Sequence, residues 1–314
     1  MCIRDRPILV CARLELERAS AESRIKDVRP YSSLDHPGGM WGGRLWEVTG
    51  RILNEVDARK VVYDEMSPIF LKKLKRRTPQ TTYRRFPKFF SEFCEVKTEE
   101  ELKWLRRAAG IATEGMKCAA QLIRKGITEL EIAAEIEYEM RRKGSEGTPF
   151  HTIVASGRNA AIPHATASNK VLKEGELVIV DLGATCRGYA SDMTRTFTIS
   201  PTPKLLKLKG VVEEAQKAAL NVVKSGIEGG RVDAEARRVI SEKGLSDSFI
   251  HGTGHGIGLE VHEPPSLSPN SKKILRENVV ITVEPGVYVP KLGGARKEDM
   301  VVVKRGGYVR LTPS

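Results

Sequence analysis

Apolar and polar positions divide the chain into two parts of different character. In the first part, the segment PILVCARLELERA from Pro7 onward predicts a strand that leads into charged residues, and the Gly-rich turn PGGMWGG precedes a predicted helix around RLWEVTGRILNEV. KVVYDE predicts a second strand and FLKKLKRR a second helix. Residues 7–95 therefore predict a small βαβα-like unit. Because this stretch has no cluster of acids or histidines, we expect it to provide scaffold or subunit contacts.

A capping box marks the start of the second part. Thr98 can cap a helix and Glu101 can reach back to it, so a long amphipathic helix is predicted over LKWLRRAAGIATEGMKCAAQLI. A second helix is predicted after Thr128. Short strands follow at HTIVAS, ELVIVDLGA and TRTFTI, then helices at VVEEAQKAALNVVKSG and VDAEARRVISEKG, then strands at VVITVEPGVYV and DMVVVKR. This order predicts two similar halves that face each other.

Length and composition favour an ordinary globular protein. The chain has 314 residues, of which 40% are hydrophobic, enough to bury a sizeable core. No apolar run approaches the roughly 20 residues that cross a bilayer, so we expect a cytoplasmic protein without a membrane partner. The five cysteines are scattered and never form a CxxC pair, so they are expected to be reduced.

The formal net charge of +12 raises the question of a nucleic-acid partner. The basic run at residues 72–77 is typical of the solvated face of a short helix. We therefore expect no nucleic-acid partner.

Four acidic residues lie at the ends of apolar runs. Asp181 ends LVIV, and Asp192 follows eleven residues later, so the two are predicted on neighbouring antiparallel strands, with Gly183 and Gly188 in the turn. Glu284 follows VVITV, and Glu298 leads EDMVVV in the same way. A carboxylate beside a buried strand is costly unless it is paired or binds a metal. One such residue is commonly a cap or a salt bridge, but four indicate a shared site.

Histidines concentrate in the segment IHGTGHGIGLEVHEPP. His251, His255 and His262 fall within twelve residues of a chain that has six histidines. The intervening glycines argue against a helix and against a helical zinc motif. An extended segment would place His251 and His255 on one face.

These residues resemble a known metal-ligand pattern. Asp181, Asp192, His255, Glu284 and Glu298 match, in order and spacing, the five ligands of the pita-bread metallopeptidases. The strings FHTIVASGRNAAIPHA, VDLGATCRGYASDMTRTF, HGTGHGIGLEVHE, TVEPGVYVP and GGARKEDMVVV resemble the Xaa-Pro peptidase branch, which includes prolidase and aminopeptidase P. The resemblance implies an α+β fold with a pita-bread catalytic domain over residues 96–314. Residues 7–95 resemble, more loosely, a smaller α/β creatinase-type amino-terminal domain.

The resemblance also implies the cofactor and the chemistry. Asp192 and Glu298 resemble ligands that bridge two divalent ions, Asp181 would complete one ion, and His255 with Glu284 would complete the other. A metal-bridging hydroxide would be the nucleophile, and Glu284 would also shuttle its proton. The oxygen-rich ligand set favours manganese, with cobalt, iron or zinc as alternatives.

Further residues match positions around the family's cleft. His164 and His262 resemble the histidines that contact the substrate and stabilise the tetrahedral intermediate. His251 resembles an outer cleft position, with a structural role as the alternative, and Arg296 resembles an arginine that orients a ligand or engages the substrate carboxylate. Arg296 lies two residues before Glu298, so the two are expected on the same face of one strand. Lys297 departs from the aliphatic residue usual at its position.

The implied substrate is a proline-containing peptide, and the implied assembly is a homodimer. Prolidase activity on Xaa-Pro dipeptides is favoured. Pro264, Pro265 and Ser266 stand where some prolidases have an arginine for the dipeptide carboxylate, so aminopeptidase P activity on longer peptides stays open. A pita-bread binding module without catalysis is the alternative of another class, although such relatives usually lose metal ligands.

The amino terminus carries one oddity. MCIRDR resembles the translation of a sequencing adapter, so residues 1–6 are expected to be an artefact and the first domain to be truncated.

Overall fold

The computed structural model describes residues 2–3, 6–32, 43–87 and 89–312. The chain divides into two compact units, Met1–Phe90 and Ser91–Ser314. Most of the predicted Gly-rich turn PGGMWGG lies outside the described residues. No helix within the described ranges is long and apolar enough to cross a membrane.

The first unit contains short strands and helices. A three-stranded sheet has the order β1-β2-β3, with β1 antiparallel and β3 parallel to β2, and β4 pairs with β5 in parallel. The strands are β1 Cys2–Ile3, β2 Arg6–Ala12, β3 Asp27–Tyr31, β4 Lys60–Tyr63 and β5 Thr82–Arg85. The helices are α1 Leu16–Glu22, α2 Leu45–Glu55 and α3 Pro68–Arg77. A small core forms around Ile8, Val48 and Ile52.

The predicted strands at PILVCA and KVVYDE and both predicted helices of this unit are confirmed. The sequence reading missed α1, β3 and β5, because each is short and carries many charged residues. A further short helix, α4 (Phe89–Cys94), leads to the second unit.

The first half of the second unit places two helices before an antiparallel sheet. The helices are α5 Glu99–Leu122 and α6 Glu129–Arg142, and the strands are β6 Ile153–Ser156, β7 Glu176–Leu182, β8 Thr185–Cys186, β9 Tyr189–Ala190 and β10 Met193–Ile199. The predicted capping box is confirmed: the Thr98 hydroxyl accepts from the Glu101 amide, and the Glu101 carboxylate accepts from the Thr98 amide. The sheet order is β10-β7-β6.

The second half repeats this plan. Helices α7 (Pro203–Val222) and α8 (Gly229–Glu242) precede the remaining strands. These are β11 Gly254–Gly256, β12 Glu263–Leu267, β13 Val280–Val283, β14 Gly286–Val289, β15 Gly293–Arg296, β16 Asp299–Lys304 and β17 Gly307–Arg310. Five of them form a sheet of order β12-β11-β13-β16-β17, and β14 pairs with β15.

The likeness of the two halves extends to small details. Helices α6 and α8 both have 14 residues, and each is preceded by an isolated antiparallel bridge, Thr128 with Val171 and Glu228 with Ile274. Each half buries its helices and one sheet face in a core of its own. The structure confirms the predicted α+β class and the predicted pair of similar halves.

Candidate metal centre

The candidate residues from distant parts of the sequence line a single cavity of about 310 Å³ in the second unit. Phe150, Ile153 and Val261 add apolar walls to it. The candidate residues found there are His164, Asp181, Asp192, His251, His255, His262, Glu284, Arg296 and Glu298.

The first half supplies two aspartates from adjacent strands. Asp181 lies near the end of β7, and Asp192 comes directly before β10. The two strands are antiparallel, as the spacing predicts, and Asp181 is opposite Thr194. A Cβ atom on Gly183 would lie 2.1 Å from the Ser191 carbonyl oxygen, so only glycine permits this close turn.

The second half supplies two glutamates in the same arrangement. Glu284 directly follows β13, and Glu298 directly precedes β16. Val283 is opposite Asp299 in this antiparallel pair, which brings Glu284 and Glu298 together at its end. Each half therefore contributes one carboxylate near the end of a strand and one before the next strand of its sheet.

Thr194 joins the two halves at the site. Its carbonyl oxygen accepts from the Glu298 amide at 3.1 Å, and its hydroxyl donates to Glu298 Oε2 at 2.9 Å. One ligand atom each of Asp192, His255 and Glu298 can be chosen so that all three lie within 4.8 Å of one another.

The histidine segment departs from the predicted extended conformation. Strand β11 begins only at Gly254, whereas residues 251–253 bend, so alternation along a strand does not explain the positions of His251 and His255. Glycines flank His255 because neighbouring backbone carbonyl groups approach the chain closely there. A Cβ atom on Gly254 would lie 2.1 Å from the Thr282 carbonyl oxygen, and one on Gly256 would lie 2.1 Å from that of Pro264.

The hydrogen bonds of His255 fix its tautomer. Nδ1 lies 3.0 Å from the Gly256 carbonyl oxygen, which can only accept, so Nδ1 carries the proton. Nε2 then faces the carboxylates, 3.2 Å from Glu284 Oε1 and 3.9 Å from Asp192 Oδ2. This nitrogen is the one available to a metal ion.

Burial and mutual repulsion shape the ionisation of the acids. Burial, together with the charges of Glu298 and Asp181, raises the pKa of Asp192 well above its ordinary value. Burial and the charge of Glu284 do the same to the pKa of Glu298. Burial opposes ionisation of Glu284 as well, but the hydrogen bond and charge of His255 outweigh it and lower the pKa of Glu284. The same contact raises the pKa of His255 despite its burial.

Three buried carboxylate oxygens are available as ligands for metal ions. Asp181 Oδ1, Asp192 Oδ1 and Glu298 Oε1 have no hydrogen-bond partner within the described residues. A buried acceptor without a partner carries a desolvation cost of about 1–3 kcal/mol, and more when it is charged. Four carboxylates and a correctly oriented imidazole form a donor set for divalent cations. The residues therefore fit a pair of such ions.

Arg296 is the main fixed cation of the site. It is buried, and its guanidinium donates to Asp181 Oδ2 at 2.5 Å, to the Tyr288 hydroxyl at 2.7 Å and to the Thr194 hydroxyl at 3.1 Å. The sequence places Arg296 and Glu298 on one strand, which is wrong, because β15 ends at Arg296 and β16 begins at Asp299. The break lets Arg296 reach Asp181.

Tyr288 connects Arg296 to His251. The Tyr288 oxygen accepts from Arg296 and lies 3.0 Å from His251 Nε2. Nδ1 of His251 donates to the Gly252 carbonyl oxygen, so Nε2 accepts from Tyr288. Burial lowers the pKa of His251, which favours this neutral form. His251 thus contacts the hydroxyl of Tyr288 and forms no hydrogen bond or ion pair with an acid of the site within the described residues.

His262 lies beside His255, with ring centroids 4.4 Å apart. Burial and the neighbouring His255 lower its pKa, so the ring is neutral near neutral pH. Its loop is anchored by the buried ion pair between Lys97 and Glu263, at 2.7 Å. The segment that carries His164 is held at both ends by Glu129, whose carboxylate accepts from Ser156, Asn159 and Ser168.

Sequence reasoning missed Tyr288 and Thr194. Tyr288 stands between valines in GVYV, and a buried tyrosine needs a partner for its hydroxyl, which was a usable signal. Thr194 carries no such signal, because its role depends on the pairing of the two halves.

The comparisons with known proteins agree with this geometry. The profile of metallopeptidase family M24 matches residues 103–305. The chain is 40% identical over 309 residues to the Xaa-Pro dipeptidase of Pyrococcus furiosus, covering 98% of this chain and 85% of that protein. The X-Pro aminopeptidase from Thermotoga maritima has a TM-score of 0.89 at 35% identity, covering 99% and 86% of the two chains. The prolidase from Pyrococcus furiosus has a TM-score of 0.85 at 35% identity, covering 97% and 86%. These likenesses confirm the predicted pita-bread fold.

Proposed function

Because the chain belongs to metallopeptidase family M24, we propose that it is a dinuclear metal-dependent exopeptidase that hydrolyses the Xaa-Pro bond of dipeptides. The observation that carries the proposal is the convergence of Asp181, Asp192, His255, Glu284 and Glu298 on one cavity with three unpaired buried oxygens. The names of similar proteins, Xaa-Pro dipeptidase and prolidase, support the substrate class.

In this proposal the five side chains would hold two divalent ions. Asp192 and Glu298 would be ligands of both ions, and their adjacent positions and unpaired oxygens support this role. Asp181, which Arg296 orients, would be a ligand of one ion. His255 and Glu284 would be ligands of the other, and their Nε2 and Oε1 atoms are 3.2 Å apart.

When bound, the two ions act as Lewis acids and lower the pKa of a water molecule from 15.7 to about 7, so that a nucleophile is available near neutral pH. Glu284, whose pKa is lowered, is ionised and accepts the proton released in the attack. The neutral His262 offers an N–H to the developing oxyanion, and His164 assists from the opposite loop. The prolyl nitrogen needs a proton in order to leave, and Glu284 returns to it the proton that it accepted in the attack.

We propose manganese as the metal, with cobalt, iron or zinc as alternatives. Four of the five donors are carboxylates, which suit hard ions, whereas the imidazole of His255 also suits softer ones.

A second candidate is aminopeptidase P activity on longer peptides. Within the described part of the chain, Arg296 is the single lysine or arginine that lines the cavity, and Asp181, Tyr288 and Thr194 already engage it. Ser266 and Ser268 follow His262 in the chain and line the cavity, and their hydroxyls form a hydrogen bond of 2.9 Å. The described lining therefore offers no free lysine or arginine to bind the terminal carboxylate of a dipeptide, and this favours longer substrates.

The deciding experiment compares Xaa-Pro dipeptides with Xaa-Pro-Yaa tripeptides, using protein with added manganese. Cleavage of the dipeptides with a higher kcat/KM supports the dipeptidase. A higher kcat/KM for the tripeptides supports the second candidate. Absence of turnover on both, with no bound metal, supports a binding module without catalysis and overturns the proposal.

We also propose a homodimer in the cytoplasm, without a nucleic-acid partner, and with an amino-terminal domain over residues 7–95 ahead of a catalytic domain over residues 96–314. The two compact units support the division. The four cysteines with described side chains are free thiols, which suits a reducing compartment.

A further inference from the structure

A second cavity lies in the second unit, against helix α7 and strands β10 and β15. Its volume is about 410 Å³, larger than that of the metal centre. The charged residues of its wall are Arg195, Lys209, Glu213, Arg296 and Lys297. Among the described residues, Arg296 is the one that lines both this cavity and that of the metal centre.

Most of these charges already have partners. The Arg195 guanidinium donates to Asp299 Oδ1 at 2.7 Å and to the Glu298 carbonyl oxygen at 2.5 Å. Lys209 pairs with Glu213 one helical turn further along α7. Asp299 is fully buried and pairs with Arg195.

Lys297 is the exception. Its ammonium group has no hydrogen-bond or ion-pair partner among the residues that the structure describes, although the side chain is half-buried. Withdrawing a charge from water is costly unless it is paired. The cavity therefore presents an ammonium group that forms no hydrogen bond or ion pair within the described residues.

We propose that this cavity binds a phosphate-class oxyanion, free or as a small phosphate ester, through Lys297. Lys209, which pairs with Glu213 on α7, adds a second ammonium group to the lining, and the exposed Thr198 adds a neutral hydroxyl donor. A tetrahedral oxyanion accepts several charge-assisted hydrogen bonds at once, which suits donors that come from three elements. The volume leaves room for a small organic group on the phosphate.

The test is calorimetric titration of the purified protein at constant ionic strength near neutral pH, with inorganic phosphate in one arm and glycerol phosphate in the other. Saturable binding is expected in the wild type. Lys297→Met, which keeps the length of the side chain, is expected to weaken binding at least about tenfold, because a hydrogen bond to a charged group contributes about that much. Stronger binding in the second arm identifies the ester as the preferred form.

Lys207→Met is the matched control, because this substitution removes the same charge. Lys207 is exposed on α7 and does not line the cavity. It is expected to bind phosphate as the wild type does. Lys209→Met gives a second test, with weaker binding expected. No saturable binding in the wild type overturns the proposal. Unchanged affinity in Lys297→Met also overturns it, because it places the phosphate at the metal centre or elsewhere.

Discussion

Arg296 donates a hydrogen bond to Asp181 across the two halves of the second unit, from Nη2 to Oδ2 at 2.5 Å. Asp181 lies in β7 of the first half, and Arg296 ends β15 of the second. One oxygen of Asp181 is therefore fixed by the guanidinium, and the other has no partner within the described residues. Arg296 thus holds a candidate ligand in a single orientation.

Arg296→Lys is expected to lower metal affinity and kcat/KM by about 10–100-fold, the usual effect of losing a partner that orients a metal ligand. A lysine has one ammonium group and cannot bond Asp181, Tyr288 and Thr194 together. Metal titration and steady-state kinetics measure the effect. Arg305→Lys, at an exposed arginine far from the cavity, is the control and should behave as the wild type. Equal behaviour of the two variants would contradict the role given to Arg296.

Asp192→Asn and Glu298→Gln are each expected to reduce activity by more than about 100-fold. Mutation of a residue that only supports a metal ligand already lowers metal affinity or activity by about 10–100-fold, and these two residues are proposed to be ligands themselves. The metal-free variants should fold, since each substitution keeps the shape of the side chain and removes a repelling charge. Circular dichroism checks the fold and peptide hydrolysis checks the activity. Turnover close to that of the wild type in either variant would count against the proposed bridging roles.

The stability of the metal-free protein is expected to depend on pH through Asp192 and Glu298. Their pKa values are raised above the ordinary 3.8 and 4.5, burial being the largest cause. Their contribution is fully present below those ordinary values and is lost as the pH rises through the raised ones. The Tm measured with a chelator should therefore fall between mildly acidic and neutral pH, and by less in Asp192→Asn. Parallel curves for the two proteins would refute this explanation.

Gly254→Ala is expected to destabilise the protein by about 1–3 kcal/mol, as overpacking does in buried positions. The added Cβ would meet the Thr282 carbonyl oxygen at 2.1 Å, next to His255. Gly110→Ala is the matched control. Gly110 is exposed within α5 with nothing near its Cβ position, so alanine should stabilise the helix by about 0.5–1 kcal/mol. Denaturant unfolding of both variants gives the free energies, and a loss of similar size in both would contradict the close-approach argument.

The candidate residues could be selected from the sequence because each sits where local rules are broken. Acids that directly adjoin apolar strands, such as Asp181 and Glu284, are unfavourable without a partner. Their convergence, however, depends on the pairing of two halves that lie about a hundred residues apart, and only the family resemblance pointed to it. The antiparallel pairing of β7 with β10 followed from the spacing and the turn glycines, but its register did not.

The contacts that orient the ligands could not be predicted in the same way. The sequence from Arg296 to Glu298 is compatible with one continuous strand, because both residues alternate correctly with their neighbours. The structure instead has a break there between β15 and β16. The bend at residues 251–253 is likewise held by tertiary bonds, because Arg237 donates to the His251 carbonyl oxygen and the Thr253 amide donates to Asp233. Tertiary hydrogen bonds override the simple alternation in both places.

The most direct measurement is an anomalous difference map from crystals grown with manganese and recorded at the manganese edge. The account predicts two peaks within the 310 Å³ cavity, with Asp192 and Glu298 touching both, Asp181 touching one, and His255 and Glu284 touching the other. Crystals without a peak there, or with ions bound only at other side chains, would contradict it.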